Sequence, residues 1–173
     1  GFIPVFAEYL ETKSKDEEWH LAERVLSVVG ATMLVICGVL IIFAPILVPL
    51  TVPGFEGAKL AQTIQLTRIM AFSPFFLGLS AVMGGILQAT RRFLAFSLAP
   101  VFYNIGIIFG TLVLAPVMGL EGVAWGVVLG AFFHLLTQAS VALRLGLRRI
   151  PPPSLRTEGV RRILKLMAPR TAG

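Results

Sequence analysis

Two long runs without a charged side chain dominate the sequence, and only Arg91 and Arg92 separate them. Residues 69–90 and 93–120 contain no Asp, Glu, Lys or Arg. A helix needs about 20 mostly apolar residues to cross a hydrocarbon core of about 30 Å, and both runs are long enough. The pattern therefore predicts a transmembrane hairpin with a very short basic turn.

The composition agrees with a membrane protein. Hydrophobic residues make up 56% of the 173 residues and charged residues only 14%, whereas a soluble domain carries about 25% charged residues. The net charge of +6 does not indicate a nucleic-acid partner, because the basic residues cluster at the ends of apolar runs and near the C-terminus. That distribution is typical of a protein that contacts anionic membrane lipids.

The predicted fold class is all-α, a polytopic membrane helix bundle with four full spans and partial helices at both ends. We treat residues 1–173 as a single transmembrane domain, with spans at residues 25–50, 69–90, 93–116 and 123–143. Residues 1–10 are interpreted as the end of a truncated helix, and residues 157–173 as an amphipathic lead-in to a next span. A helix lying on the membrane surface is the alternative for the latter. We therefore expect an internal piece of a larger protein.

Local signals refine these boundaries. Ser14 and Glu17 have the spacing of a capping box, which predicts a helix that begins at Lys15 and continues into the first span. Prolines at its far end are expected to kink or stop it, and a polar loop is predicted to follow. A tight turn is predicted at residues 119–122. The far-end prolines are Pro45, Pro49 and Pro53, and the charged residues of the predicted loop are Glu56, Lys59 and Arg68.

Basic residues predict the orientation. With four spans, thirteen Lys and Arg residues fall on one side of the membrane, and only Lys59 and Arg68 fall on the other. Cytoplasmic loops carry the excess of Lys and Arg, so both ends of the segment are predicted to be cytoplasmic. Arg91 and Arg92 serve this topology in our interpretation, with contact to a lipid phosphate as the alternative.

Glycines on two of the spans repeat at every fourth position, which places them on one helix face. Small residues on one face let helix backbones approach closely, so we predict a helix–helix contact there rather than a lipid-facing surface. The five glycines are Gly106, Gly110, Gly122, Gly126 and Gly130.

Few groups in the spans could carry chemistry. Gln88, Asn104 and Gln138 are predicted to form interhelical hydrogen bonds, or to line a polar cavity, and we name Gln88 and Asn104 as the cavity candidates. His134 has no acidic partner within one turn, which favours a neutral histidine bonded to another helix. The lone Cys37 can form no internal disulfide. No catalytic set, metal-ligand spacing or phosphate-binding loop occurs, so we predict no enzyme, no metal and no cofactor.

Several stretches resemble the MurJ (MviN) family of lipid II flippases within the MOP exporter superfamily. They are GFIPVFAEYL (1–10), FAPILVPLTVPGF (43–55), QLTRIMAFSPFFLGLSAVMGGILQATRRF (65–93), LAPVFYNIGII (98–108), VAWGVVLGAFFHLLTQ (123–138) and VRRILKLMAPRTAG (160–173). Their order and spacing are similar to the family over essentially the whole chain.

The resemblance implies a place in a machine of fourteen helices arranged in two lobes around a central cavity. This chain would supply most of the N-terminal lobe, from the end of the second helix to the start of the seventh. The implied activity is outward movement of the undecaprenyl-linked peptidoglycan precursor, lipid II, by alternating access in cell wall biosynthesis. The implied partners are that precursor, membrane lipids and the remaining helices of the parent protein, in the bacterial plasma membrane. The residues that grip the diphosphate would lie outside this chain.

Two alternatives remain open from the sequence. The first is a non-transporting membrane scaffold or regulatory protein with a flippase-like lobe. The second is an exporter of another lipid-linked sugar or of a drug, which shares the fold class.

Overall fold

The computed structural model describes the backbone of residues 1–171 and the side chains of residues 1–166. The helices in this part are α1 Phe2–Thr12, α2 Lys15–Thr51, α3 Gly57–Met70, α4 Phe72–Ala89, α5 Phe93–Phe109, a π-helical segment Gly110–Leu114, α6 Ala115–Met118, α7 Leu120–Leu145 and α8 Glu158–Thr171. The predicted end of the last helix, Ala172 and Gly173, lies outside the described residues.

Four helical rods are long and apolar enough to cross a membrane, which confirms the predicted all-α bundle with four spans. They are Lys15–Thr51, Gly57–Ala89, Phe93–Met118 and Leu120–Leu145. The first begins as predicted: the Ser14 hydroxyl accepts a hydrogen bond from the Glu17 backbone N–H, and the Glu17 carboxylate accepts one from the Ser14 N–H. This helix then continues through Pro45 and Pro49 and ends at Thr51.

The prediction of a polar loop before the second span is wrong, because this segment forms helix α3. Lys59 and Arg68 lie within α3, which meets α4 at Ala71, so the span predicted at residues 69–90 begins at Gly57 instead. Charged residues suggested a loop, but α3 continues past Lys59 and Arg68, and the hydroxyls of Thr63 and Thr67 donate to backbone carbonyls four residues earlier. Their hydrogen bonds are satisfied within the helix, so their polarity does not interrupt it.

The third and fourth spans contact each other along the five glycines at which a helix–helix contact was predicted. The backbone of Gly106 lies against Gly130, and that of Gly110 lies against Gly126. A Cβ atom placed on Gly126 would lie 2.6 Å from the Gly110 Cα, a separation that real Cβ atoms do not adopt. The two backbones therefore touch with no space for a side chain.

A π-helical turn continues this contact toward the far end of the third span. It covers Gly110–Leu114, and the backbone of Leu114 and Ala115 lies against Gly122. The following turn is tighter than predicted, because α7 already begins at Leu120, after Gly119 with φ +62°. Gly122 thus belongs to the helix and not to the turn.

The opposite end of the bundle, where α1, the start of α2 and α8 come together, is the basic end. Its core joins side chains of α1, α2, α4, α7 and α8. The apolar residues of α8 at helical spacing are Val160, Ile163, Leu164 and Met167. Val160 and Ile163 are buried in this core, whereas Leu164 is exposed. The fourth of these residues, Met167, has its side chain outside the described residues.

Candidate functional site: polar groups within the bundle

Gln88 and Asn104, the two predicted cavity residues, bond to their own helices. The Gln88 side-chain N–H donates to the Gly84 carbonyl at 3.2 Å, and that of Asn104 donates to the Pro100 carbonyl at 2.8 Å. Among the described residues, neither side chain bonds to a second helix, so their place in a cavity wall stays a prediction. Asn104 is exposed on α5, and Gln88 is half-buried at the end of α4.

A buried polar group instead joins α4 to α7. The Ser80 hydroxyl donates to Oε1 of Gln138 at 2.9 Å and lies 2.6 Å from Nδ1 of His134. The hydroxyl has one proton and donates it to Gln138, while the role of Nδ1 in the second contact depends on the tautomer of His134. The structure confirms the predicted interhelical bonds of His134 and Gln138. Ser80 was missed, since a single serine in an apolar run carries no pattern of its own.

Arg68 is a second residue whose contact could not be predicted from the sequence. Its Nε–H donates to the Ile41 carbonyl of α2 at 3.1 Å. In a regular helix that carbonyl would accept from the N–H of residue 45, but Pro45 has none. Arg68 thus satisfies an acceptor that the proline left free, and it ties α3 to α2. The absence of Gly and Pro from residues 58–73 was the available sign that α3 extends past Arg68.

Arg68 is also a cation at membrane depth. Ile41 lies within the charge-free run of residues 25–55, so the guanidinium that reaches it lies well inside the span. Arg68 lies outside the predicted span of residues 69–90 but within the longer helical rod Gly57–Ala89. Among residues 1–166, Arg68 makes no ion pair. Ionisable side chains inside a membrane mark functional sites more often than surface charges do.

The turn between α4 and α5 exposes both of its arginines. Arg91 has φ +59°, a left-handed conformation that glycine normally supplies at a helix end. The Arg91 N–H donates to the Gln88 carbonyl and the Arg92 N–H to the Leu87 carbonyl, so two carbonyls of the last turn of α4 are satisfied. The short turn holds both guanidinium groups at the bundle surface.

Glu23 organises the basic end from within α2. Its Oε1 accepts hydrogen bonds from the backbone N–H groups of Arg148 at 3.0 Å and Arg149 at 2.8 Å. The residue is only 8% exposed. The chain reaches this position after a turn at Gly146, where φ is +140°. One carboxylate thus fixes the path of the segment that leaves the fourth span.

Glu23→Ala is expected to destabilise the protein by roughly 2–6 kcal/mol, because two half-buried N–H groups lose their acceptor at about 1–3 kcal/mol each. Glu23→Gln is the matched control, since its amide oxygen can still accept both bonds. Denaturation of the full-length protein in detergent measures the difference. Equal stability of the two variants would contradict this role for Glu23.

Further polar contacts close the basic end. A guanidinium N–H of Arg24 donates to the Pro152 carbonyl at 2.8 Å, which holds the proline segment against α2. Arg162 of α8 forms a two-point ion pair with Glu8 of α1, at 2.7 and 2.8 Å. The hydrogen bonds from Arg162 lower the pKa of the Glu8 carboxyl below its usual range. In the part of the chain that the structure describes, no cluster of three or more His, Cys, Asp or Glu could hold a metal.

Comparison with known proteins gives a consistent result over the whole chain. The family model described as "Lipid II flippase MurJ" matches residues 1–173. The "Probable lipid II flippase MurJ" of Buchnera aphidicola subsp. Schizaphis graminum is 28% identical over 180 residues, which cover 100% of this chain and 34% of that protein. The corresponding protein of Rhizobium meliloti is 30% identical over 182 residues, which cover 98% of this chain and 33% of that protein.

The "Lipid II flippase MurJ" of Burkholderia cenocepacia is 26% identical over 184 residues, which cover 99% of this chain and 35% of that protein. The chain thus spans about a third of the length of the curated relatives that it matches.

Proposed function

The chain belongs to the lipid II flippase MurJ family, and on that basis we propose that it forms part of a flippase for the undecaprenyl-linked peptidoglycan precursor. The observation that supports this most is a family match over residues 1–173, on a chain with four helices suited to span a membrane. Transport, rather than catalysis, is the proposed role. The parent protein would move the precursor across the bacterial plasma membrane by alternating access between two lobes.

Within that machine, we propose that this segment supplies scaffold and part of the cavity wall. Asn104 supports the role in the cavity wall, because its amide is exposed on a mostly apolar helix. At membrane depth such an amide needs a polar partner, which a water-filled cavity or another helix would supply. Gln88 is the second candidate for the wall. We propose that Arg91 and Arg92 act at the membrane surface, where they would set the topology and contact lipid phosphates.

Both ends of the segment are proposed to face the cytoplasm. Arg68 reaches toward Ile41, so among residues 1–166 Lys59 is the one basic residue left at the other end, which supports this orientation. After Cys37→Ala, cysteines are placed at positions 121 and 149 of the full-length protein in intact cells. We expect an impermeant thiol reagent to label position 121 and not 149. The reverse pattern would overturn the proposed topology.

A strain depleted of its own lipid II flippase tests the proposed activity. The full-length gene that contains this segment is expected to restore growth, because the parent protein would then move the precursor outward. A membrane scaffold, or an exporter of another lipid-linked sugar, would reach the membrane and leave growth unrestored. Immunoblotting of the membrane fraction separates that outcome from poor expression.

A further inference from the structure

An apolar groove of about 740 Å³ opens between α2 and α7 at the basic end. Side chains of α4, among them Phe75 and Leu79, also line it, as do Pro151, Pro152 and Pro153 of the segment that follows α7. Its volume lies within the range of ligand pockets, about 300–1,000 Å³. Its two walls are Leu26, Gly30 and Leu34 of α2, and Leu135, Ala139 and Leu143 of α7.

The depth of the groove matches one leaflet of a bilayer. The groove wall runs from residue 26 to residue 34 on α2 and from residue 143 to residue 135 on α7. Each wall covers eight helical steps, or about 12 Å at about 1.5 Å per residue. Half of a hydrocarbon core is about 15 Å. The groove is thus shorter than a spanning helix and matches the length of one lipid chain from the adjoining leaflet.

A polar pocket of about 550 Å³ adjoins the groove at its membrane-surface end, and Arg148 and Arg149 line both. Lys15 and His20 add basic groups to this pocket, and Asp16 adds an acidic one. The remaining acidic residue, Glu23, already accepts from two backbone N–H groups. Among residues 1–166, neither Arg148 nor Arg149 forms an ion pair, so their charges are available to a ligand.

We propose that this combined site binds one anionic phospholipid of the adjoining leaflet. One acyl chain lies in the groove between α2 and α7, and the phosphate contacts the guanidinium groups of Arg148 and Arg149. Arginine suits this role because its planar group offers two parallel N–H donors to a phosphate. A net cationic pocket favours an anionic over a zwitterionic headgroup. The site is separate from the proposed transport activity and does not require it.

Photolabelling of the full-length protein tests the site. The protein is reconstituted in phosphatidylcholine vesicles that contain a minor fraction of phosphatidylglycerol with a photoactivatable acyl chain. Labelled peptides are expected to cover residues 26–34 and 135–143. Arg148→Gln with Arg149→Gln is expected to reduce this labelling about thirtyfold, because each arginine near a membrane contributes about fivefold in affinity. Arg156→Gln with Arg161→Gln, an equal change of charge outside the site, is expected to leave the labelling unchanged.

Ala139→Trp is a second variant, which fills the groove without altering any charge, and it is expected to abolish labelling. If it fails to fold, the arginine variants still decide the question. Equal labelling by a phosphatidylcholine probe, or no effect of the arginine substitutions, would overturn the proposal. Displacement by a stoichiometric polyprenyl phosphate would assign the site to a different lipid and would equally overturn it. A disulfide from a cysteine at position 139 to another helix of the parent would show that protein covers the groove.

Discussion

Gly126→Leu is expected to break the packing of α5 against α7 and to destabilise the parent protein by at least about 3 kcal/mol, the upper range for overpacking. The reason is the backbone contact, since even a Cβ atom at this position would lie 2.6 Å from the Gly110 Cα and 3.0 Å from the Gly106 carbonyl oxygen. A neighbouring backbone cannot rotate away as a flexible side chain can. The helices must therefore separate, and the contacts on either side separate with them.

Val127→Leu is the control for this experiment, because it adds bulk at the adjacent, half-buried position, off the glycine face. Thermal unfolding of both variants in detergent, together with their yields in the membrane fraction, measures the difference. We expect the glycine variant to unfold at a clearly lower temperature than the control. Equal unfolding temperatures would mean that the glycine face does not hold the two helices together in the parent protein.

The 173 residues expressed alone are expected not to restore growth of a flippase-depleted strain, although the full-length gene does. Alternating access requires two bodies that move about a shared site, and this chain covers about a third of its relatives. A diphosphate that crosses a hydrocarbon core also needs several cationic partners to offset its desolvation. Within the spans of this segment, Arg68 is the cation at membrane depth, and its Nε is already bonded to Ile41.

Expression of the segment in the membrane must be shown by immunoblotting, so that absence of rescue reports on activity. Rescue by the segment alone would contradict the prediction. It would mean that Arg68, Gln88 or Asn104 contributes far more to transport than proposed, or that several copies assemble a complete cavity.

The helix bundle could be predicted from the sequence because the bilayer imposes a simple rule. Charged side chains are costly in hydrocarbon, so long charge-free runs mark the spans. The rule failed at residues 57–70, where Thr63 and Thr67 satisfy their hydroxyls within the helix and Arg68 finds a carbonyl on α2. Local polarity alone could not distinguish such a helix from a loop.

The candidate site was less predictable, since its hydrogen bonds join residues far apart in the chain. His134 and Gln138 lie one turn apart and were recognisable as polar groups at membrane depth. Their partner Ser80 lies more than fifty positions earlier, and only the packing of α4 against α7 identifies it. Gln88 and Asn104 looked equivalent to Gln138 in sequence, yet their side chains turn back to their own helices.

The sequence by itself determined the fold class, the number of spans, the capping of α2 and the family, because apolar length, local hydrogen bonding and motif order are properties of the linear chain. The tertiary structure decided which polar groups meet. The carbonyl left free by Pro45 is visible in the sequence, but the identity of Arg68 as its donor depends on how α3 packs beside α2. Likewise, Glu23 acquires its role from the path of residues 146–149, which backbone geometry sets in three dimensions.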